Sequence, residues 1–228
     1  MASKGMQGTQ GDARRGDDHS AASGTISSGT PSPIPTGRTQ RFGTLRFVPL
    51  GLPDETRATS VEALNQILAD SIALRELYKK CHWQVAGPTF YQLHLLFDKH
   101  FTEQITLVDS LAERVQMLGG VAIATPHDVA EHQTAARAPS DAEDVPTMLS
   151  RLVDSHVRIL MQCHAAAKVA GDRGDDGTND LLVSQLIRTN EMQAWFVNEH
   201  RIPMQLIHEG TQSGSMDGRA AVAPTMHS

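Results

Sequence analysis

The chain has 228 residues, a net charge of -6 and a pI near 6.0, enough for one sizeable domain with tails and without the basic excess of a general nucleic-acid binder. Aromatic residues make up only 4%, which favours a helical core of Leu, Val, Ile, Met and Ala over a β-sandwich. Two cysteines, Cys81 and Cys163, give no disulfide framework and fit a reducing cytoplasm; no apolar run is long enough for a membrane span, and the N-terminus lacks the apolar segment of a secretory signal.

Residues 1–46 are rich in Gly, Ser, Thr and Pro and are expected to form a disordered arm, because they hold too little apolar surface to order themselves. Six basic residues (Lys4, Arg14, Arg15, Arg38, Arg41, Arg46) against Asp12, Asp17 and Asp18 give this arm a net +3. It would serve as an electrostatic tether for DNA phosphates if many copies were displayed on one particle, or simply as a solubilising tail. A domain over 47–208 follows. Thr59 with Glu62 reads as the capping box of a first helix running to about Val85, with Val61, Leu64, Leu68 and Ile72 at helical spacing.

Gly87-Pro88 stops that helix, and Thr89 caps a long second one ended by Gly119-Gly120. Its apolar stripe is Phe90, Leu93, Phe97, Phe101, Ile105, Val108, Ala112 and Val115. The long connection after Gly120 contains Thr125-Pro126, the cap and first turn of a short helix through about His132. A third long helix is expected from about Asp144 to Ala170. A polar turn over 171–177 and a Thr178 cap then lead into a fourth helix that reaches about Ile202. Residues 209–228 read as a flexible tail. The fold class is all-α: a four-helix bundle with a short extra helix between helices 2 and 3.

The chemistry concentrates in the second helix. His94 and Asp98 are four apart, as are Asp109 and Glu113, so each pair shares a helix face and can hold a metal ion. The pairs are centred about fifteen residues apart, roughly 22 Å along the axis, so one ion cannot touch both. At about 100° per residue they nevertheless lie on nearly one stripe. A second copy packed antiparallel across a two-fold axis would set His94 and Asp98 of one chain opposite Asp109 and Glu113 of the other, giving two equivalent sites. His82 adds an imidazole across the Gly87-Pro88 turn. Mixed imidazole and carboxylate donors favour iron, manganese or zinc, whereas calcium would need an all-oxygen set. Trp83, beside His82, is an electron-donor candidate or a packing residue. His100, His127, His156, His164, His200 and His208 show no carboxylate pattern and read as surface or satisfied core residues.

The string His82-Trp83, Gly87-Pro88, Phe90, His94, Asp98, followed by Asp109, Glu113-Arg114 and Gly119-Gly120, closely resembles the signature of the Dps family, the mini-ferritins, over roughly residues 55–203. The resemblance implies a ferritin-like bundle assembled into a hollow dodecamer. Its intersubunit ferroxidase ligands would be His82, His94 and Asp98 of one subunit with Asp109 and Glu113 of the two-fold mate. It also places acidic residues at an iron-entry pore, where Asp175, Asp176 and Asp180 stand here; ordinary helix N-terminal acidity accounts for them equally. Ordinary ferritins hold di-iron within one bundle through Glu-x-x-His pairs, and no glutamate of this chain has a histidine three positions later.

The resulting expectation is a cytoplasmic ferroxidase that oxidises Fe(II), with hydrogen peroxide preferred over oxygen, stores the ferric mineral and protects against oxidative damage. Zinc is a competing ion for the same donors. The arm lacks the lysine-rich character of DNA-compacting members, which bears on DNA binding and on any nucleoid location. The alternatives are a non-enzymatic, DNA-compacting shell protein and a helical metal-binding dimer without a cage.

Overall fold

The computed structural model describes Gly37 and residues 39–202. Its helices are α1 (Asp54–Gln84), α2 (Phe90–Met117), α3 (Pro126–His132), α4 (Val145–Asp172), α5 (Asp176–Asp180) and α6 (Arg188–Glu199), and a π-helical segment, Leu181–Ile187, joins the last two without a break. No strand occurs among the described residues.

Helix α1 starts earlier than its Thr59–Glu62 pattern predicts. Pro53 stands at the N-cap, where its missing N–H costs nothing, and Asp54 and Glu55 put negative charge on the positive end of the helix dipole. Thr59 is already inside the helix, its Oγ1 donating to the Glu55 carbonyl at 2.9 Å. The turn after Gln84 needs Gly87 at φ +99°, a left-handed value that a side chain would resist. Thr89 occupies the N-cap of α2, but its side chain makes no capping bond. The contacts His82–His94, Lys79–Asp98 and Arg57–Leu118 run in opposite directions along α1 and α2, so the two form an antiparallel hairpin.

The far end of this hairpin is tied down by backbone carbonyls. Gly119, at φ +85°, accepts from Arg46 N and Gln40 Nε2, both at 2.9 Å. The buried Arg57 guanidinium donates to Leu118 O at 2.7 Å and Arg46 O at 3.1 Å. Residues 39–46, expected to belong to the disordered arm, are therefore bonded to the bundle. The rest of that arm, apart from Gly37, and the tail over 209–228 lie outside the described residues.

Helix α3 carries the expected Thr125 cap, which Asp128 extends into a reciprocal capping box. Asp144 caps α4, accepting from Thr147 N at 2.9 Å. The last helix departs from expectation: Asp175, not Thr178, is the cap, its carboxylate accepting from Thr178 N at 3.1 Å. Helix α1 packs against α2, α3 and α4, and α4 packs against α5, the π segment and α6. Leu64, Leu68, Leu93, Phe97, Leu111, Leu152, Ile159, Leu182 and Leu186 fill the centre.

The buried face of α2 is only half the predicted one. Leu93, Phe97, Val108 and Val115 are inside, but Phe90 and Ile105 are 44% exposed. The core-facing row is completed by Leu107 and Leu111, and by His100 and Gln104, two polar residues at 1% and 0% exposure. Ile105 stands out from the bundle on the stripe between the two predicted ligand pairs.

Candidate metal centre

The α1–α2 hairpin brings His82 and His94 face to face, with ring centroids 3.8 Å apart and planes inclined by 22°. Each ring uses Nδ1 on the other's main chain: His82 Nδ1 donates to His94 O, and His94 Nδ1 to His82 O, both at 2.9 Å. A carbonyl can only accept, so both Nδ1 atoms carry the proton, and in the neutral rings Nε2 is left as the lone-pair atom. This is the tautomer a metal ligand needs, fixed by outer-shell bonds. His82 O is free to accept because it lies in the last turn of α1, whereas His94 O lies inside α2 and takes the imidazole N–H on a second lone pair.

Asp98, one turn after His94, sets Oδ1 3.9 Å from His82 Nε2. Two acceptors facing each other with no proton between them call for a cation. Lys79 supplies one, its Nζ donating to Asp98 Oδ1 at 2.7 Å while lying 4.5 Å from the Phe101 ring centroid. This hydrogen bond, more than any other influence, holds the Asp98 carboxyl below its ordinary range. His82, His94 and Asp98 are thus gathered at one end of the hairpin, with the Lys79 ammonium engaged on Asp98.

Asp109 and Glu113 do not join this cluster. Both are exposed on α2, further along the helix, with Ile105 and the half-buried Phe101 and Ala112 on the intervening stripe. Among the described residues no group of three or more His, Cys, Asp or Glu side chains within the chain is arranged to hold a metal ion. The chain thus presents two partial donor sets, one at each end of α2.

The three aspartates at the turn before the last helix divide. Asp176 and Asp180 are exposed, but Asp175 is 1% exposed and engaged inside the bundle, contrary to a role lining a pore. Its carboxylate accepts from Ser60 Oγ at 2.6 Å, from Arg114 Nη2 at 2.5 Å and from Thr178 N. Burial pushes its pKa upward most strongly, yet the bonds from Ser60 and Thr178 and the Arg114 charge together hold it below the usual carboxylate range. Trp83 is 72% exposed, so its ring is not a packing residue within the single chain.

Two features escape a sequence reading based on apolar spacing. Lys79 is one: it lies three residues before His82, on the same face of α1, which was the available signal. The other is a buried polar network. The Tyr78 hydroxyl meets His156 Nε2 at 2.5 Å and His100 Nδ1 at 3.1 Å; His156 Nδ1 reaches Asn190 Oδ1 at 2.9 Å. Gln104 Nε2 donates to both Asn190 and Gln193. Desolvation pushes His100 down to about 4 and His156 to about 3, so both are neutral, and raises Tyr78 well above a free phenol.

No helix among the described residues is long and apolar enough to cross a membrane. A ferritin-like domain matches residues 61–205. The chain is 54% identical to DpsC from Streptomyces coelicolor, covering 75% of this chain and 100% of that one with a TM-score of 0.74. It is 27% identical to a Dps protein from Vibrio cholerae O1, described as a member of a broad superfamily of ferritin-like diiron-carboxylate proteins, covering 67% and 95% at a TM-score of 0.63. The DNA protection during starvation protein of Agrobacterium fabrum is 28% identical over 149 residues, 65% of this chain and 91% of that protein. With an all-α ferritin-like bundle, a donor-bearing α1–α2 hairpin and these relatives in agreement, the chain belongs to the Dps family of ferritin-like proteins.

Proposed function

We propose that the protein is a ferroxidase that binds Fe(II) at a site shared between two subunits, oxidises it and stores the ferric product in a dodecameric shell in the cytoplasm. The observation that carries this reading is the reciprocal clasp of His82 and His94, which leaves both Nε2 atoms with lone pairs and sets that of His82 3.9 Å from Asp98 Oδ1. One chain offers too few donors for the chemistry, and Asp109 and Glu113 supply the complement from a second chain laid antiparallel along α2. Ile105 and its half-buried neighbours would be covered by that contact. Neutral nitrogens and carboxylates together stabilise the ferric more than the ferrous state, because the charge they face rises by one on oxidation. With hydrogen peroxide as oxidant, two ferrous ions and one peroxide are consumed together, which removes both reagents of hydroxyl-radical formation. Asp176 and Asp180 are the acidic side chains left to guide cations, Asp175 being engaged within the bundle.

The test is complementation. Assemblies of Asp98→Asn alone or Glu113→Gln alone should oxidise Fe(II) at least roughly tenfold more slowly than the parent. In an assembly co-expressed from the two, each mixed pair regains one site with every ligand present, and fast oxidation should return. No recovery in a verified mixed assembly refutes the shared site.

A second activity, DNA binding through residues 1–46, is supported by the net +3 of that arm and by the resemblance to the DNA protection during starvation protein of Agrobacterium fabrum. Gel-shift titration at low and physiological salt, with and without the arm, tests it. Binding that survives truncation would remove the arm from the mechanism.

A further inference from the structure

The network around Tyr78 has no part in holding a metal, yet it places an oxidisable phenol beside the ligand cluster. Tyr78 is 0% exposed and lies four residues before His82 on α1, so their Cβ atoms are roughly 6 Å apart. Its ring also packs against Phe97, the residue before Asp98, at a centroid separation of 6.1 Å.

The proton positions follow from the amides. Asn190 Nδ2 donates to Leu186 O at 2.8 Å, so Asn190 Oδ1 is the acceptor for His156 Nδ1–H and Gln104 Nε2–H. With its Nδ1 protonated and the ring neutral, His156 offers the Nε2 lone pair to the Tyr78 hydroxyl at 2.5 Å. His100 Nδ1–H donates to the same phenol oxygen at 3.1 Å. The hydroxyl thus has one direction in which to give its proton, and a second donor to stabilise the oxygen afterwards. A phenol that loses an electron becomes a strong acid, and the imidazole at 2.5 Å is there to take its proton.

We infer that Tyr78 is a one-electron donor to the peroxide chemistry of the neighbouring site, its proton passing to His156 Nε2 and back. The inference rests on the ferroxidase reading above. Hydrogen peroxide takes two electrons and, from solvent, two protons to become two waters. When only one ferrous ion is bound it supplies one electron, and the Tyr78 phenol supplies the other, leaving a neutral phenoxyl radical hydrogen-bonded to a protonated His156. A second ferrous ion, arriving later, returns an electron to the phenoxyl, and the proton returns from His156. The sum is two ferrous ions oxidised per peroxide, with no hydroxyl radical released between the two arrivals. Tyr78, with the His156 Nε2 lone pair at 2.5 Å, suits this task better than Trp83, which is 72% exposed on the single chain.

The chain has only two tyrosines, Tyr78 and the exposed Tyr91, so the test need not disturb the core. A Tyr91→Phe assembly, prepared with ordinary or ring-deuterated tyrosine, is loaded anaerobically with less than one Fe(II) per site, mixed with peroxide and freeze-quenched. Electron paramagnetic resonance reads the radical, and absorbance of the same mixture reads ferric product. The expected result is a phenoxyl signal that narrows on ring deuteration, decays when more Fe(II) is added, and vanishes when Tyr78→Phe is added to the variant. Iron oxidised with no phenoxyl signal, or with a radical whose shape ignores tyrosine deuteration, overturns the inference and leaves the ferroxidase reading standing. No iron oxidation overturns that reading and the inference with it.

Discussion

Asp175→Ala separates a structural carboxylate from a transport one. The Asp175 side chain is 0% exposed and that of Arg114 15%, so the pair is largely out of water. Removing the carboxylate leaves the Arg114 guanidinium without a counter-charge, Ser60 Oγ without its acceptor, and the last helix without the cap on Thr178 N. Breaking a buried ion pair from one side costs about 3–5 kcal/mol, because the remaining charge stays desolvated. For a domain of this size each kcal/mol lowers the melting temperature by about 2–4 °C, so a fall of roughly 6–20 °C is expected. Circular-dichroism melts at one fixed subunit concentration provide the measurement, since assembly makes the midpoint concentration-dependent. Asp176→Ala and Asp180→Ala, both at exposed positions, should each cost less than about 0.5 kcal/mol. An Asp175→Ala midpoint within about 2 °C of the parent would refute the assignment.

Lys79→Met should strengthen Fe(II) binding, because the ammonium competes for Asp98. A partly exposed pair of this kind is worth about 0.2–1 kcal/mol, so the gain in anaerobic titration should not exceed about fivefold, and weaker binding would show that Lys79 assists the site instead. Stability should also fall on mild acidification. His100 and His156 stay neutral in the folded chain down to about 4 and about 3, whereas in the unfolded chain they take up protons near 6.5. Their neutral burial is therefore fully compatible with folding above about 6.5 and increasingly costly as pH drops through that value towards 4. Urea midpoints at neutral pH and at about pH 5 would reveal it, and equal midpoints would contradict it.

Where local chemistry decides the structure, the residues announced it. The Thr125-Pro126-x-Asp128 pattern became the capping box of α3, Asp144 capped α4, and Gly87 and Gly119 took the left-handed turns. Where a tertiary partner decides, they did not. Thr59 carries a capping pattern that Pro53 and two first-turn acids supersede, and Thr178 yields its cap to Asp175 because Arg114 and Ser60 draw that carboxylate inward. The buried row of α2 was half hidden because His100 and Gln104 interrupt its apolar spacing, and their burial depends on Tyr78, Asn190 and Gln193 from other helices. The ligand cluster is intermediate: residue spacing brings out His94 and Asp98, but the bond that fixes each imidazole's proton exists only once the hairpin is closed.

The π-helical segment Leu181–Ile187 gives the last helix a phase as well as a length. A π turn accommodates one residue more than an α turn over nearly the same rise, so everything after it is rotated relative to a continuous α-helix. Ahead of it the helix is anchored by Asp175 and Thr178; behind it Asn190 and Gln193 must meet His156 and Gln104. Relaxing this segment to ordinary α geometry with every residue kept would swing both amides by about 100°. The helix would survive, the apolar core would survive in part, and the amides that orient His156 and Gln104 would point elsewhere. By absorbing one surplus residue, the π turn keeps the two ends of this helix in register with the rest of the bundle.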